Sequence, residues 1–325
     1  MSNQAELFDA LPSIANTIRQ ELAKKVVGQH AVIEEMLIAL FAGGNCLFVG
    51  VPGLAKTLLV NSLAQSLGLQ FQRIQFTPDL MPSDITGAEI LQENKETGTR
   101  SLQFVQGPVF TNLLLADEIN RTPPKTQAAL LEAMQEKQVT TLGTSHRLPK
   151  PFLVFATQNP VEQEGTYPLP EAALDRFMFS VLVHYPSQAE EIAIVKKVIA
   201  PTSAEIATVL TSEKLLAFQD VIKHVPISDV LLQKITTLVA KTRPESSTSE
   251  AVKKFVRYGA GTRASIYLSI AARTRAALRG QETPDWQDVV AVAKTVLRHR
   301  VMVNFQAQAQ GINSDAIIDQ LVKEL

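Results

Sequence analysis

The chain has 325 residues, 46% of them hydrophobic and 19% charged, with a formal net charge of −1. That is material for about two ordinary buried cores, and it excludes a disordered polyelectrolyte and a globally basic nucleic-acid binder. The longest unbroken apolar run, Met36 to Ala42, falls far short of the ~20 residues that a membrane span requires.

The segment Met1 to Ala10 is polar and acidic with no signal-peptide pattern, so a cytoplasmic location is expected. One cysteine, Cys46, excludes an internal disulfide and a thiolate zinc cluster. The histidines, His30, His146, His184, His224 and His299, are scattered singly. Residues 1–185 carry 13 Lys/Arg against 18 Asp/Glu, and residues 186–325 carry 18 against 14. A solvated mixed surface explains this asymmetry as well as a partner does.

Two amphipathic helical patterns, Ile14 to Lys25 and His30 to Ala42, open the chain and are joined by Val26-Val27-Gly28-Gln29. Apolar strand patterns follow at Cys46–Val49, Leu69–Gln75, Asn112–Ala116, Phe152–Thr157 and Phe179–Val183, with helices opening at Lys56, near Pro123 and near Glu171. Continuous apolar strands alternating with helices predict an α/β domain over residues 1–185, its mostly parallel sheet covered on both faces. Two segments interrupt it. Residues 85–107 hold short alternating runs on either side of Asn94-Lys95-Glu96-Thr97-Gly98, and residues 138–149 read as a second hairpin. Such hairpins are either inert loops or, in a nucleotide machine, levers on a substrate.

After His184-Tyr185-Pro186-Ser187 the texture changes. Ser187 to Ala200, Glu213 to Lys223, Ser228 to Lys241, Ser249 to Tyr258, Arg263 to Arg279 and Asp285 to Arg298 all show helical periodicity, with no good strand pattern left. A helical second domain over 186–325 is predicted, its helix starts marked by Ser187, Ser228 and Pro284.

The chemistry begins at Gly50-Val51-Pro52-Gly53-Leu54-Ala55-Lys56-Thr57, between an apolar strand and the apolar-periodic Leu58 to Leu67. In such a phosphate loop, backbone N–H groups at a helix N-terminus cradle the α/β-phosphates, a lysine reaches the β/γ-phosphates and a hydroxyl ligates Mg²⁺. Ala55 stands where the generic motif has glycine, and its side chain is expected to keep that residue out of the freely left-handed region. About 60 residues on, Leu113-Leu114-Leu115-Ala116-Asp117-Glu118 is an apolar strand ending in two carboxylates. Asp117 is placed to hold Mg²⁺ beside Thr57, and Glu118 to polarise an attacking water. Asn159 closes the next strand pattern. With that strand between the Asp-Glu strand and the loop strand, Asn159 either aims at the γ-phosphate or caps the following turn.

These motifs, with Ile119-Asn120-Arg121-Thr122-Pro123-Pro124-Lys125, Ala156-Thr157-Gln158-Asn159-Pro160 and Leu169-Pro170-Glu171-Ala172-Ala173-Leu174-Asp175-Arg176-Phe177, resemble the MoxR family of AAA+ ATPases over nearly the whole chain. Alanine before the lysine is usual in that family. The resemblance implies an αβα core with a five-stranded sheet, a small helical lid, and a hexameric homo-oligomer with ATP bound between neighbouring subunits. Lys56 and Thr57 match the Walker A pair, Asp117 and Glu118 the Walker B pair, and Asn159 the sensor-1 residue. Arg176 matches the arginine finger. Arg263, in Gly261-Thr262-Arg263-Ala264, matches sensor 2, a lid arginine that touches the γ-phosphate in cis. The implied nucleotide contacts are Val27, Gly28, Gly50, Pro52, Gly53, Leu54, Ala55, Lys56, Thr57, Leu58, Asp117 and Arg263, with Thr57 and Asp117 at Mg²⁺. Residues 85–107 resemble the helix-2 insert and 138–149 the pre-sensor hairpin. Arg121 resembles an extra interface arginine of relatives and equally suits a local ion pair.

The resemblance implies hydrolysis of ATP to ADP and phosphate, coupled to remodelling or maturation of a client, with von Willebrand A domain proteins as the partner class. A magnesium-chelatase-like motor subunit and a DNA-directed motor are the alternatives. The charge of −1 and the lack of a basic stripe on the hairpins argue against strong nucleic-acid backbone binding. The Gly-Ala-Phe-Thr-Gly-Ala loop of sigma-factor activators is absent.

Overall fold

The computed structural model describes residues 2–93, 100–161, 165–199 and 204–325. Its centre is a five-stranded parallel sheet in the spatial order Phe71–Gln75, Leu113–Asp117, Leu153–Gln158, Cys46–Val49, Phe179–Leu182. The inner strands Leu113–Asp117 and Leu153–Gln158 are buried almost throughout, as continuous apolar runs in a parallel sheet require. Phe71–Gln75 lies at the edge and buries only Ile74. The strand Leu153–Gln158 does sit between the Asp-Glu strand and the loop strand, pairing Ala116 with Ala156 on one side and Leu47 with Ala156 on the other.

Each sheet face has its own core. One gathers Leu47, Ile74, Leu114, Ala116 and Val154 with the helix Pro124–Glu136. The other runs from Phe48 and Phe155, in edge contact at 5.6 Å between ring centroids, through the helix Lys56–Ser66 and the two N-terminal helices into the C-terminal helices. Those later helices are Ser212–Lys223, Asp229–Lys241, Thr262–Leu278, Trp286–Leu297 and Ser314–Lys323. Thr262–Leu278 buries Ala264, Ala271, Ala272, Ala276 and Ala277, small residues that let Trp286–Leu297 and His30–Ala42 approach closely. The helical half therefore packs on the sheet's own core rather than enclosing a separate one.

Several boundaries differ from the sequence reading. The first helix spans Ser2–Ala23, starting well before Ile14 and passing through Pro12. Ser187 and Ser228 cap their helices as read, while Asp285 rather than Pro284 caps Trp286–Leu297. The helix read over Ser249 to Tyr258 ends at Phe255, where Val256 turns extended, and Val256–Tyr258 pairs antiparallel with Met302–Val303. Strands of three and two residues leave no period to detect in a sequence.

Both hairpins are present. Gly87–Glu93 pairs with Arg100–Gln106, and Gln138–Thr141 with Thr144–Arg147; the first hairpin's turn, including Lys95, lies outside the described residues, as do Ala200 and Pro201. Phe104 stacks on His146 at 3.9 Å between ring centroids and meets Phe110 edge-on at 5.7 Å, so the hairpins share one contact surface.

Phe218 tests the continuity of the larger core, because it is buried against Phe41 across the junction between the helical half and the N-terminal helices. Phe218→Ala is expected to cost about 3–5 kcal/mol and to shift one calorimetric transition downward as a unit. A new, separate transition would show that the helical half melts on its own.

Candidate nucleotide site

All five strands run the same way, so their carboxyl ends meet at one edge of the sheet, the usual place for a ligand in an open α/β sheet. There the loop leaves Val49. Gly50 donates its N–H to the Gln158 carbonyl at 3.2 Å, and a Cβ at that position would lie 2.6 Å from the Val183 carbonyl oxygen, so only glycine fits. Gly53 turns with φ +81°. Ala55 also turns left-handed, with φ 56° and ψ 21°, as the residue that leads into Lys56–Ser66. The expectation that alanine would avoid this region is corrected. The loop geometry overrides a cost of about 1–2 kcal/mol.

Lys56 Nζ donates to the Gly50 carbonyl at 2.5 Å and the Val51 carbonyl at 3.0 Å, inside its own loop. Burial lowers its pKa, while Asp117 and Glu118 pull it back up. Thr57 Oγ1 lies 3.5 Å from Asp117 Oδ2, which brings the loop and the Asp-Glu strand end together. Asp117 Oδ1 accepts from Thr157 Oγ1 at 2.5 Å, and the same hydroxyl accepts from the Glu118 N–H at 2.8 Å. Glu118 sits at φ 57° and ψ 48°, which turns the chain sharply off the strand. Its Oε2 accepts from Gln75 Nε2 at 2.8 Å and lies 3.0 Å from Arg121 Nε, so Arg121 makes the local pair. Asn159 is buried one residue beyond its strand, where its Oδ1 accepts from the Val161 N–H at 3.1 Å, the geometry of a turn cap.

Three members of this cluster escaped the sequence reading. Thr157 was named only as part of a strand. Arg73 and Gln75 project from the same side of the edge strand: Arg73 Nε and Nη2 donate to Asp117 Oδ2 at 3.0 and 2.7 Å, and Nη2 also donates to Gln75 Oε1 at 2.6 Å. Their only signal is alternation along a strand that ends level with Asp117.

Beside the loop lies an apolar slot of about 120 Å³, lined by Val27, Gln29, Leu54, Ala55, Leu58 and Ile194 among others. Gly28, expected at this wall with Val27, instead faces Glu190, whose carboxylate would clash with any Cβ there. Leu58 is 41% exposed on the slot's rim, an apolar surface without a protein cover.

Arg176 and Arg263 are elsewhere. Both line a cavity with Gly43, Asn45 and Met178, residues that precede the strands Cys46–Val49 and Phe179–Leu182 and so mark the amino edge of the sheet. Arg263 Nη1 is held there by Asp175 Oδ2 at 2.9 Å. The expectation that Arg263 reaches its own loop's γ-phosphate in cis is corrected: the height of the sheet separates them. Residues 204–211 carry the chain to that edge, with the Ala207 N–H on Glu21 Oε2 at 2.8 Å and the Val209 N–H on the Ser66 carbonyl at 2.6 Å, at the far end of the loop helix.

A family profile described as ATPase family associated with various cellular activities (AAA) matches residues 45–179, and one for the AAA lid domain matches 248–321. Chaperone MoxR1 of Mycobacterium tuberculosis is 43% identical over 304 residues, which cover 93% of this chain and 79% of the relative. Protein MoxR of Methylorubrum extorquens is 31% identical over 303 residues, covering 89% and 88%. The chain belongs to the MoxR family of AAA+ ATPases. A crystallised protein of Cytophaga hutchinsonii shares the whole fold, with a TM-score of 0.91 at 41% identity, covering 100% of this chain and 98% of that one. MoxR membership implies nucleotide binding and ATP hydrolysis. No described helix is long and apolar enough to cross a membrane.

Ala55→Gly tests the left-handed turn in the loop. Removing the Cβ relieves about 1–2 kcal/mol of strain and costs about 0.5–1 kcal/mol of chain entropy. The free protein should therefore gain about 0.5–1 kcal/mol, read as a higher urea midpoint at constant slope. A lower midpoint would contradict the left-handed geometry.

Proposed function

We propose that this chain hydrolyses ATP in a Mg²⁺-dependent reaction within a homo-oligomeric ring, each site completed by its neighbour, and applies the resulting motion to a protein client. One observation carries the reading: Lys56, Thr57, Asp117, Glu118 and Asn159 gather at the carboxyl edge of the sheet, while Arg176 and Arg263 share a cavity at the opposite edge. An arginine that must meet a γ-phosphate and cannot reach its own is suited to the next subunit's site. This favours trans action for both arginines and makes hydrolysis depend on assembly.

The residues present fit the groups the reaction needs. Thr57 Oγ1 and Asp117 Oδ2 are hard oxygens side by side, the donor type that Mg²⁺ accepts alongside phosphate and water. Mg²⁺ bound there supplies neutralisation of developing phosphate charge. The slot lined by Val27, Leu54 and Leu58 fits an apolar base face, and the loop and its helix N-terminus fit the phosphates. Lys56 turns from its loop carbonyls toward the β/γ-phosphates. Glu118, released from Gln75 and Arg121, takes the proton of the attacking water, and Asn159 orients that water.

The proposed ring has six subunits and the proposed client is a von Willebrand A domain protein, both on the strength of the family resemblance alone. The joined hairpins, with Leu91 and Leu102 exposed on the first and Leu142 on the second, are the surfaces suited to gripping it.

Two experiments test the chemistry and the trans arrangement. Glu118→Gln should retain ATP binding and lose about 10²–10⁴-fold in turnover; substantial residual hydrolysis removes Glu118 from the base role. Arg176→Ala and Arg263→Ala should each bind ATP yet turn over poorly, and each should regain activity when mixed with Lys56→Ala subunits that supply intact arginines. Rescue of Arg176→Ala without rescue of Arg263→Ala would return Arg263 to its own site.

A further inference from the structure

The Asp117 carboxylate is already occupied. Its Oδ1 holds the Thr157 hydroxyl, while Oδ2, the oxygen facing Thr57, receives both Nε and Nη2 of Arg73 at 3.0 and 2.7 Å. A carboxylate oxygen has about two lone-pair positions, and Oδ2 already accepts from two guanidinium N–H groups and, at the longer distance of 3.5 Å, from Thr57 Oγ1. A divalent ion coordinating that oxygen would stand within a few ångströms of a fixed positive charge, a repulsion that grows in the partly buried setting of Asp117, whose side chain is 12% exposed. Arg73 itself is 46% exposed on the edge strand, so it has room to swing away. The Nη2 bond to Gln75 Oε1 at 2.6 Å keeps it aimed at Asp117 when nothing competes.

We propose that Arg73 is a positioning residue that competes with the divalent cation for Asp117 Oδ2. It serves as the resident counter-ion of the nucleotide-free site and sets a threshold against metal that arrives without phosphates. The argument rests on the Mg²⁺–ATP reading above. In this arrangement bare metal must displace Arg73 alone and binds poorly. Metal arriving with a nucleotide brings phosphate oxygens that complete its coordination and give the freed guanidinium an anion to face.

The test uses Mn²⁺ as a spectroscopic stand-in for Mg²⁺, with free Mn²⁺ read by electron paramagnetic resonance in nucleotide-free protein and in protein saturated with ADP. Arg73→Met, similar in length and uncharged, should bind Mn²⁺ about tenfold more tightly than wild type in the nucleotide-free state, solvent exposure of Arg73 keeping the gain modest. Gln72→Leu, exposed on the same edge strand one residue away and therefore on its other face, should stay within about twofold of wild type. An Arg73→Met affinity unchanged within twofold, or weaker, overturns the proposal; so does an equal gain in Gln72→Leu, which would indicate general loosening of the strand edge. Wild type that takes up no Mn²⁺ with ADP present overturns the metal–nucleotide reading and this proposal with it. Wild-type uptake that Arg73→Met leaves unchanged overturns this proposal alone.

Discussion

Parallel strands impose direction, and direction organises this molecule. Because the five strands point one way, every residue that follows a strand arrives at the same edge, and every residue that precedes one arrives at the other. Gly50, Glu118 and Asn159 belong to the first set; Asn45, Arg176 and Met178 belong to the second. No side-chain adjustment can move Arg176 to the loop of its own chain without breaking strand order. The separation of Arg176 from the loop is thus a property of the sheet, and the ring proposed above is one assembly that would reunite the edges.

The lid is held to the second edge by Arg300. Its guanidinium is buried and fully satisfied: Nε bonds Asp175 Oδ1 at 2.8 Å, Nη2 bonds the Asp175 and Phe177 carbonyls at 2.9 and 2.5 Å, and Nη1 bonds the Met178 and Val296 carbonyls. Burial pushes its pKa down, and Asp175 opposes that shift. Asp175 keeps 32% of its side chain exposed, so the pair adds little net energy, and its effect is to lock geometry. Asp175 also carries Arg263 on its other oxygen. One carboxylate next to Arg176 therefore fixes both the packed lid and the lid arginine, and a change in lid angle is felt at the residue adjoining Arg176.

Much of this was legible in the chain because it is written locally. Loop, strand-end carboxylates and apolar strands each occupy a few consecutive residues, and the Asn159 strand lies between the carboxylate strand and the loop strand, as the sequence reading places it. What escaped depends on distance in sequence. Arg73 and Gln75 acquire meaning only when the edge strand is laid in register against Leu113–Asp117, 40-odd residues later. Arg263 lies at the amino edge rather than beside its own loop, because its location is decided by residues 204–211 running back to Ser66, a crossing without periodicity or motif. The pairing of Val256–Tyr258 with Met302–Val303 failed for the same reason on a smaller scale.

Three non-glycine residues hold left-handed backbone around the site, Gln29, Ala55 and Glu118, and the last two do so for different ends. Glu118 must leave the strand abruptly if its carboxylate is to return toward Gln75 rather than follow the sheet, and its N–H is fixed by Thr157 in that turn. At Ala55 glycine would meet the backbone demand without strain, so the methyl needs its own account. It lines the apolar slot with Leu54 and Leu58. A buried methyl group contributes about 0.8 kcal/mol when covered, close to the strain of about 1–2 kcal/mol that the residue carries. Alanine there destabilises the uncovered loop slightly and recovers most of that loss when an apolar face closes the slot, so occupancy and loop geometry are coupled through one carbon.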